Sequence, residues 1–153
     1  MSDPRKFISL NRKARHDYHI LESFEAGMVL VGTEVKSLRA GKVNLKDSYA
    51  SIDDGELWLH GLHISPYERA SYNNHDPERS RKLLISKLDL KRLAGKVLEK
   101  GFTLVPLALY FKEGWAKVEI GLAKGKRQYD KREAIAKRDS QRQVDRALKE
   151  QYE

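Results

Sequence analysis

The stretch FTLVPLALYFKEGWAKVEIGLA, residues 102–123, predicts most of the fold of this chain. Its first half alternates, and we expect one face to carry Thr103, Val105, Leu107, Leu109 and Phe111. Glu113-Gly114 then predicts a turn, since glycine tolerates positive φ. The second half alternates again, and we expect its inner face to carry Ala116, Val118, Ile120 and Leu122. Because a period of two marks a strand that is buried on one side, these residues predict an antiparallel hairpin.

Two other segments carry helix signals. Thr33 would cap a helix over residues 34–40, and Gly41 permits the left-handed residue that follows a helix end. Ser86 would cap a second helix that ends at Gly101. We expect the apolar stripe of this second helix to pack against the core. The stripe consists of Leu90, Leu93, Ala94, Val97 and Leu98.

Further strands are predicted at residues 18–21, 28–31, 49–52 and 56–64. The last two flank Asp53-Asp54-Gly55, and Asp-Gly tolerates the positive φ of a hairpin turn. Short strands, glycine-containing turns and few helices predict a mainly β fold. A small, partly open β-barrel of the oligonucleotide-binding (OB) type with flanking helices fits this pattern best.

The charge distribution divides the chain into three parts. Residues 1–16 are basic and sparsely apolar, so we expect an N-terminal arm, and residues 17–123 would form the barrel body. Residues 124–153 would form a basic C-terminal tail, because their bulky apolar residues are too few to build a core. We expect such a tail to be disordered when free and helical when laid along RNA.

Composition narrows the classes of function. The chain has 30 Lys and Arg against 22 Asp and Glu, and its net charge of +8 favours polyanionic partners such as RNA, DNA, ribosomes or acidic membranes. Without cysteine, disulfides, thiolate zinc sites and cysteine nucleophiles are excluded. No apolar run approaches the roughly 18 residues that span a membrane, and the N-terminus lacks the apolar segment of a signal peptide. We therefore expect a cytoplasmic protein.

Signals for catalysis or metal binding are weak. His60 and His63 are three residues apart in a predicted strand, so they would point to opposite faces. The glycine-rich residues 121–126 lack the Ser or Thr and the helix of a phosphate loop. We therefore expect no catalytic residue, no metal and no cofactor.

Signals for RNA binding are stronger. Lys36 and Arg39 share a face of the predicted short helix and could contact a phosphate backbone, although this spacing alone is better explained by a solvated helix face. Glu25 could accept a hydrogen bond from a base edge or a 2′-hydroxyl. Tyr129, in the basic tail, has a ring that could stack on an exposed base.

Several blocks, in chain order, resemble the SsrA-binding protein (SmpB) family. These blocks are LNRKARHDYHI (10–20), FEAG (24–27), GTEVKSLRAGK (32–42), DSYA (47–50), RKLL (81–84) and AKGKRQYDKRE (123–133). The resemblance implies an OB-type barrel and a non-enzymatic adaptor of trans-translation. It implies that the body binds the tRNA-like domain of transfer-messenger RNA (tmRNA, or SsrA RNA) and stands in for the missing anticodon arm. The tail would probe the decoding centre and the empty mRNA channel of stalled ribosomes.

The resemblance also implies partners and site residues. The partners would be tmRNA, the ribosome and, with alanyl-charged tmRNA, the elongation factor EF-Tu; no membrane or DNA partner is expected. The tmRNA-binding positions would be Asn11, Arg15, His16, Glu25, Glu34, Lys36, Ser37, Arg39, Lys82 and Leu84, with the greatest weight on Glu25 and Leu84. The ribosome-binding tail positions would be Gly125, Lys126, Arg127, Tyr129, Asp130, Lys131, Arg132, Lys137 and Arg138.

Two other classes of function stay open from the residues alone. An OB-type protein that binds single-stranded nucleic acid would stack bases on exposed aromatic rings. Against it, core patterns include or adjoin Trp58, Phe102, Phe111 and Trp115. An RNA-processing enzyme would have to use His60, His63, His75 or Glu34.

Overall fold

The computed structural model describes residues 4–68 and 74–125, which form a mainly β architecture. The elements are β1 (Arg5–Leu10), α1 (Arg12–Asp17), β2 (Tyr18–Met28), α2 (Gly32–Arg39), β3 (Val43–Asn44), β4 (Tyr49–Asp53), β5 (Glu56–His60), β6 (His63–Ile64), β7 (Arg81–Leu84), α3 (Lys87–Lys100), β8 (Thr103–Lys112) and β9 (Trp115–Gly125).

Seven of the described strands form one antiparallel sheet that curls into a ring. Their order is β1-β8-β4-β5-β7-β2-β9, and β8 also pairs with β9, so that β1 stays outside the ring at an edge of β8. The ring is not fully closed, because β4 and β8 share only the pair of Ala50 with Leu104. The predicted partly open barrel of the OB type is therefore confirmed.

The hairpin of β8 and β9 forms as predicted. Glu113 and Gly114 both have positive φ, 53° and 81°, which matches the right-handed twist of the flanking strands. The inner face of β9 packs into the main core through Ala116, Val118, Ile120 and Leu122. These residues confirm the period-two prediction for the return strand.

The single face predicted for β8 is wrong. The pairing of β8 with β9 shifts between Pro106 and Ala108, so Leu107 is an extra residue that reverses the inward and outward alternation. Leu109 faces the main core. Val105 and Leu107 instead pack outside it, in a second cluster with Ala14 of α1. The bulge thus lets one strand pack against α1 with its first half and against the main core with Leu109 in its second half.

The other predicted strands are partly correct. The Asp53-Asp54-Gly55 hairpin forms between β4 and β5, with φ of 52° at Asp54 and 72° at Gly55. The strand predicted over residues 18–21 is the start of the eleven-residue strand β2, which continues to Met28. Of the strand predicted over residues 28–31, only Met28 is part of a strand, and that part of the prediction is wrong.

Both predicted helices are present, but the cap of α2 differs from the prediction. Val31, not Thr33, is the N-cap residue, and the Glu34 carboxylate accepts a hydrogen bond from its backbone N–H at 3.0 Å. In α3 the Ser86 side chain accepts from the Asp89 N–H at 3.2 Å, as predicted. The apolar stripe of α3 turns away from the core at its end, where Leu98 is 85% exposed.

The N-terminal residues differ from the predicted arm. Residues 5–10 form β1, which pairs with β8, and α1 follows directly. Asn11 links the two, because its backbone N–H donates to the Leu107 carbonyl at 2.8 Å. At the other end, Lys124 and Gly125 are the last residues of β9, and the rest of the predicted tail lies outside the described residues.

A buried ionic cluster ties α2 to the segment that leads into β7. Glu34 and Arg81 have fully buried side chains joined at 2.6 Å, and Arg79 donates two hydrogen bonds to the other oxygen of Glu34. Arg81 also donates to the Leu62 carbonyl. Burial raises the pKa of Glu34, but hydrogen bonds from Arg79, the Val31 amide and Arg81 lower it more, leaving the carboxyl pKa below its ordinary value.

A buried histidine supports the same junction. The Nε2 atom of His75 lies 2.8 Å from the Ile64 carbonyl, so Nε2 must donate, and Nδ1 can accept from the Thr33 hydroxyl at 2.9 Å. The histidine thus has a structural role between α2 and the segment before β7.

The close contact at Gly121 generates a stability prediction. A Cβ atom at this position would lie 2.9 Å from Leu107 Cδ1 and 3.2 Å from Ile20 Cγ2, so Gly121→Ala should lower the free energy of unfolding by about 1–3 kcal/mol through overpacking. Gly95→Ala is the control, because nothing lies within 4 Å of its Cβ position in α3 and alanine favours the helix by about 0.5–1 kcal/mol. Urea denaturation should show opposite signs; equal effects would contradict the close packing at Gly121.

A second stability prediction concerns the buried carboxylate. Glu34→Gln leaves two arginines without their charge partner and should lower the free energy of unfolding by about 3–5 kcal/mol. Glu56→Gln is the matched control, since Glu56 pairs with Lys82 at 3.1 Å and both side chains are more than 40% exposed. This surface pair should contribute less than about 1 kcal/mol. Similar losses in both variants, measured by urea denaturation, would refute a special role of the buried cluster.

Candidate nucleic-acid interface

The outer surface of four neighbouring strands brings Glu25 and Leu84 to one face. Ala26 and Met28 of β2 pack into the core, so Glu25 and Gly27 point outward. Gly27 is paired with Leu84 of β7 on one side and with Lys117 of β9 on the other. We call this surface the Glu25 face. It consists of Glu25, Gly27, Lys82, Leu84, Tyr110, Lys112, Lys117 and Glu119.

A missing side chain shapes the middle of the Glu25 face. A Cβ atom at Gly27 would lie 3.6 Å from the Cβ of Leu84 and 3.8 Å from the Nζ of Lys117. Glycine therefore leaves a position without a side chain between an apolar and a cationic side chain. Leu84 is 54% exposed there, unusual for a leucine in a central strand of the sheet.

The Glu25 carboxylate is held by two donors. The Tyr110 hydroxyl donates to Oε2 at 2.6 Å, and the Nζ of Lys112 lies 3.5 Å from the same oxygen. The hydrogen bond from Tyr110 is the main cause of the lowered pKa of Glu25. Burial, followed by the bond to Glu25, raises the pKa of Tyr110, so Tyr110 keeps its proton and Glu25 stays ionised at neutral pH.

A second carboxylate lies beside the first. Glu25 and Glu119 are directly paired across β2 and β9, an arrangement of like charges that is destabilising unless cations compensate it. Arg15 and Arg5 supply that compensation, at 3.1 Å and 3.4 Å from the two oxygens of Glu119. The N-terminal residues thus form the border of the Glu25 face.

This arrangement offers three kinds of contact to RNA. Arginine and lysine side chains around its border can contact phosphates, which supply affinity. The two carboxylates can accept hydrogen bonds from hydroxyl or amino groups of nucleotides but repel phosphates. Leu84 adds an apolar surface beside them. The surface suits a folded RNA of defined shape better than a uniform polyanion.

The sequence-predicted residues divide into several groups in the structure. Lys82 and Leu84 lie on the Glu25 face with Glu25, and Arg15 lies at its border. His16 is exposed on α1, next to Asp17. Asn11 has a structural role, because its Nδ2 donates to the Pro106 carbonyl at 2.8 Å and its Oδ1 caps α1.

The residues of α2 lie elsewhere. Lys36 and Arg39 are exposed, and they lie over the rings of Tyr67 and Phe111 at 5.4 Å in each case. Glu34 and Ser37 are 0% and 1% exposed, so they cannot contact RNA in this structure. For these two positions the sequence-based assignment is corrected: both face the interior because α2 packs that side against the barrel.

Sequence reasoning missed two side chains that face outward, the exposed Trp115 and the covered Tyr110. Trp115 was grouped with the core, yet it is 71% exposed at the end of β9, two residues from Lys117. The signal was present, since Trp115 is out of phase with the inner residues of β9. Tyr110 had no such signal, because the bulge at Leu107 turns it outward. Trp58, Phe102 and Phe111 are partly buried, which leaves few rings for base stacking.

The histidines considered for catalysis do not converge. His60 lies between the hydroxyls of Ser51 and Ser80, each at 2.7 Å, while His63 lies near Glu78 and His75 is buried. Within residues 4–68 and 74–125, no three His, Asp or Glu side chains lie close enough to hold a metal ion. In the same part of the chain, no helix has the length and apolar character needed to cross a membrane.

Comparison with known proteins adds to this geometry. The family model described as "SmpB protein" matches residues 8–150. The SsrA-binding protein of Carboxydothermus hydrogenoformans is 61% identical over 147 residues, covering 96% of this chain and 99% of the relative. That of Desulforudis audaxviator is 60% identical over 147 residues and covers 96% of each chain.

A solved structure is also similar. Its description reads "tmRNA-SmpB: a journey to the center of the bacterial ribosome", and its chain is 60% identical in sequence, with a TM-score of 0.65. The match covers 81% of this chain and 85% of the solved one. Family model, relatives and structure agree with the blocks quoted above, and this chain belongs to the SmpB family.

Proposed function

We propose that this protein binds the tRNA-like domain of tmRNA and delivers it to stalled ribosomes as a non-enzymatic adaptor of trans-translation. The observation that carries the proposal is the Glu25 face, where Glu25 and Leu84 lie on the same outer surface inside a basic border. The similar proteins are named for binding SsrA RNA, and the similar solved structure is described as tmRNA-SmpB on the ribosome.

The chemistry of the Glu25 face supports recognition by shape. RNA helices expose 2′-hydroxyls and base edges in a wide, shallow groove, and proteins read such surfaces through hydroxyl and phosphate contacts together. A face that offers both carboxylates and cations fits this target. A surface for unstructured single strands would need several stacking rings, whereas among the described residues only Phe7 and Trp115 expose an aromatic ring beside the Glu25 face.

The proposal also gives the C-terminal tail a role on the ribosome. Residues 126–153 lie outside the described residues, and they are rich in Lys and Arg. We propose that Lys126, Arg127, Tyr129, Asp130 and Lys131, with the cations that follow them, contact the decoding centre and the empty mRNA channel. Alanyl-charged tmRNA and EF-Tu would accompany the protein to the ribosome.

Leu84→Ala tests the RNA face. The substitution removes an exposed apolar contact and should raise the Kd for the tRNA-like domain of tmRNA by about tenfold, roughly 1.4 kcal/mol, with little change in stability. Leu98→Ala is the matched control, because Leu98 is 85% exposed on α3. Fluorescence anisotropy with a labelled transcript measures both variants. Equal affinities would place the RNA surface elsewhere.

A separate substitution tests the tail. Replacing Asp130, Lys131 and Arg132 together with Ala should leave the Kd for the tRNA-like domain within about twofold, because the main contacts lie on the body. Tagging of a peptide on ribosomes stalled without a stop codon should fall by more than about tenfold, if the tail residues act as one unit. Normal tagging by this variant would argue against the proposed role of the tail. Lost RNA binding would argue against the proposal that the body binds tmRNA while the tail contacts the ribosome.

A further inference from the structure

Tyr110 belongs to the Glu25 face but is almost completely covered. It is 2% exposed, and its ring lies under the side chains of β1: the Phe7 ring meets it edge-on at 5.6 Å, and the Arg5 guanidinium lies 5.5 Å from its centroid. A covered ring of this kind cannot stack on a base. Its hydroxyl, however, reaches Glu25.

That contact joins two strands that are not neighbours, because β9 lies between β8 and β2. Tyr110 is paired with Lys117 on β9, whereas Glu25 is paired with Glu119 on the opposite side of β9. The Tyr110 hydroxyl therefore spans β9 diagonally to reach the Oε2 atom of Glu25 at 2.6 Å. Because packing under Phe7 and Arg5 fixes the ring, the hydroxyl fixes the carboxylate.

The other oxygen of Glu25 has no partner among the described residues. Both contacts of the carboxylate, from Tyr110 and Lys112, fall on Oε2. The side chain of Glu25 is 33% exposed, so Oε1 is accessible at the surface. An ionised carboxylate held by one oxygen presents the other as a fixed hydrogen-bond acceptor, and bonds to a charged acceptor are stronger than neutral ones.

We propose that Tyr110 is a positioning residue for RNA recognition: its hydroxyl holds Glu25 so that Oε1 accepts a hydrogen bond from a nucleotide donor, either a 2′-hydroxyl or a base N–H. The inference rests on the proposed function, since it deepens the role of the Glu25 face in binding tmRNA. The lowered pKa of Glu25 supports it, because the acceptor remains ionised. A fixed anionic acceptor stabilises a complex in which the RNA places a hydrogen-bond donor next to Oε1, and it repels a phosphate at the same position.

A double-mutant cycle tests the inference in the full chain. The Kd for the tRNA-like domain of tmRNA is measured for the wild type, Tyr110→Phe, Glu25→Ala and the double variant. Tyr110→Phe should raise the Kd by about tenfold in the wild-type background, and by less than about twofold once Glu25 is already replaced, as expected for residues that share one hydrogen bond. Equal effects in both backgrounds, or an unchanged Kd for Tyr110→Phe, would overturn the positioning role.

Titration of the Glu25 carboxyl by NMR provides a readout that a general loss of stability does not produce. Its pKa should rise in Tyr110→Phe and fall further with 3-fluorotyrosine at position 110, which keeps the ring and makes the hydroxyl a stronger donor. If Tyr110→Phe does not fold, the fluorinated variant alone tests whether the Tyr110 hydroxyl controls the pKa of Glu25. An unchanged pKa of Glu25 in folded variants would overturn the inference.

RNA transcribed with 2′-fluoro nucleotides identifies the donor. If a 2′-hydroxyl donates to Oε1, the difference in Kd between the wild type and Glu25→Ala should disappear with this RNA. If a base N–H donates, the difference should persist. A wild type that does not bind the tRNA-like domain at all would refute the proposed function itself, which separates that failure from a failure of the inference about Tyr110.

Discussion

The ionic cluster of Glu34, Arg79 and Arg81 is the constraint on which the rest of the structure depends. Arg81 is both the buried partner of Glu34 and the first residue of β7, so the cluster fixes where β7 begins. From that start, the register places Leu84 opposite Gly27. A buried carboxylate is tolerable only because two guanidinium groups and a backbone amide satisfy it. The buried ion pair of Glu34 and Arg81 thereby determines the geometry of an exposed surface.

The β-bulge at Leu107 has a complementary effect on β8. Up to the bulge, Val105 and Leu107 face outward and pack against Ala14 of α1, and after it the alternation is reversed, so that Tyr110 also faces outward. With regular alternation from Thr103, Tyr110 would point into the core and could not reach Glu25. One strand can therefore pack against α1 and hold the carboxylate on its outer side. Pro106, which has no N–H for the ladder, lies next to this bulge.

The sequence predicted the features that depend on neighbouring residues. The two hairpin turns, the Ser86 cap and the inner face of β9 are local patterns, and the structure has all of them. The bulge at Leu107 was not predictable in this way, because apolar residues occupy both faces of β8. The family resemblance placed Glu34 among the predicted RNA contacts, and no local signal in the sequence distinguishes a buried carboxylate from an exposed one. Its arginine partners are about 45 residues away in the chain.

The proposed RNA surface has a carboxylate at its centre, and this has a physical explanation in a protein of net charge +8. Such a charge attracts any polyanion, since phosphate contacts supply affinity without distinguishing one RNA from another. Glu25 makes the middle of the surface unfavourable for phosphates, whereas Arg5 and Arg15 already pair with Glu119 beside it. On this proposal, an RNA binds well only if its shape keeps phosphates at the border and brings a hydrogen-bond donor to Glu25. The carboxylate would therefore lower affinity for most RNA and, by the same interaction, select a folded one.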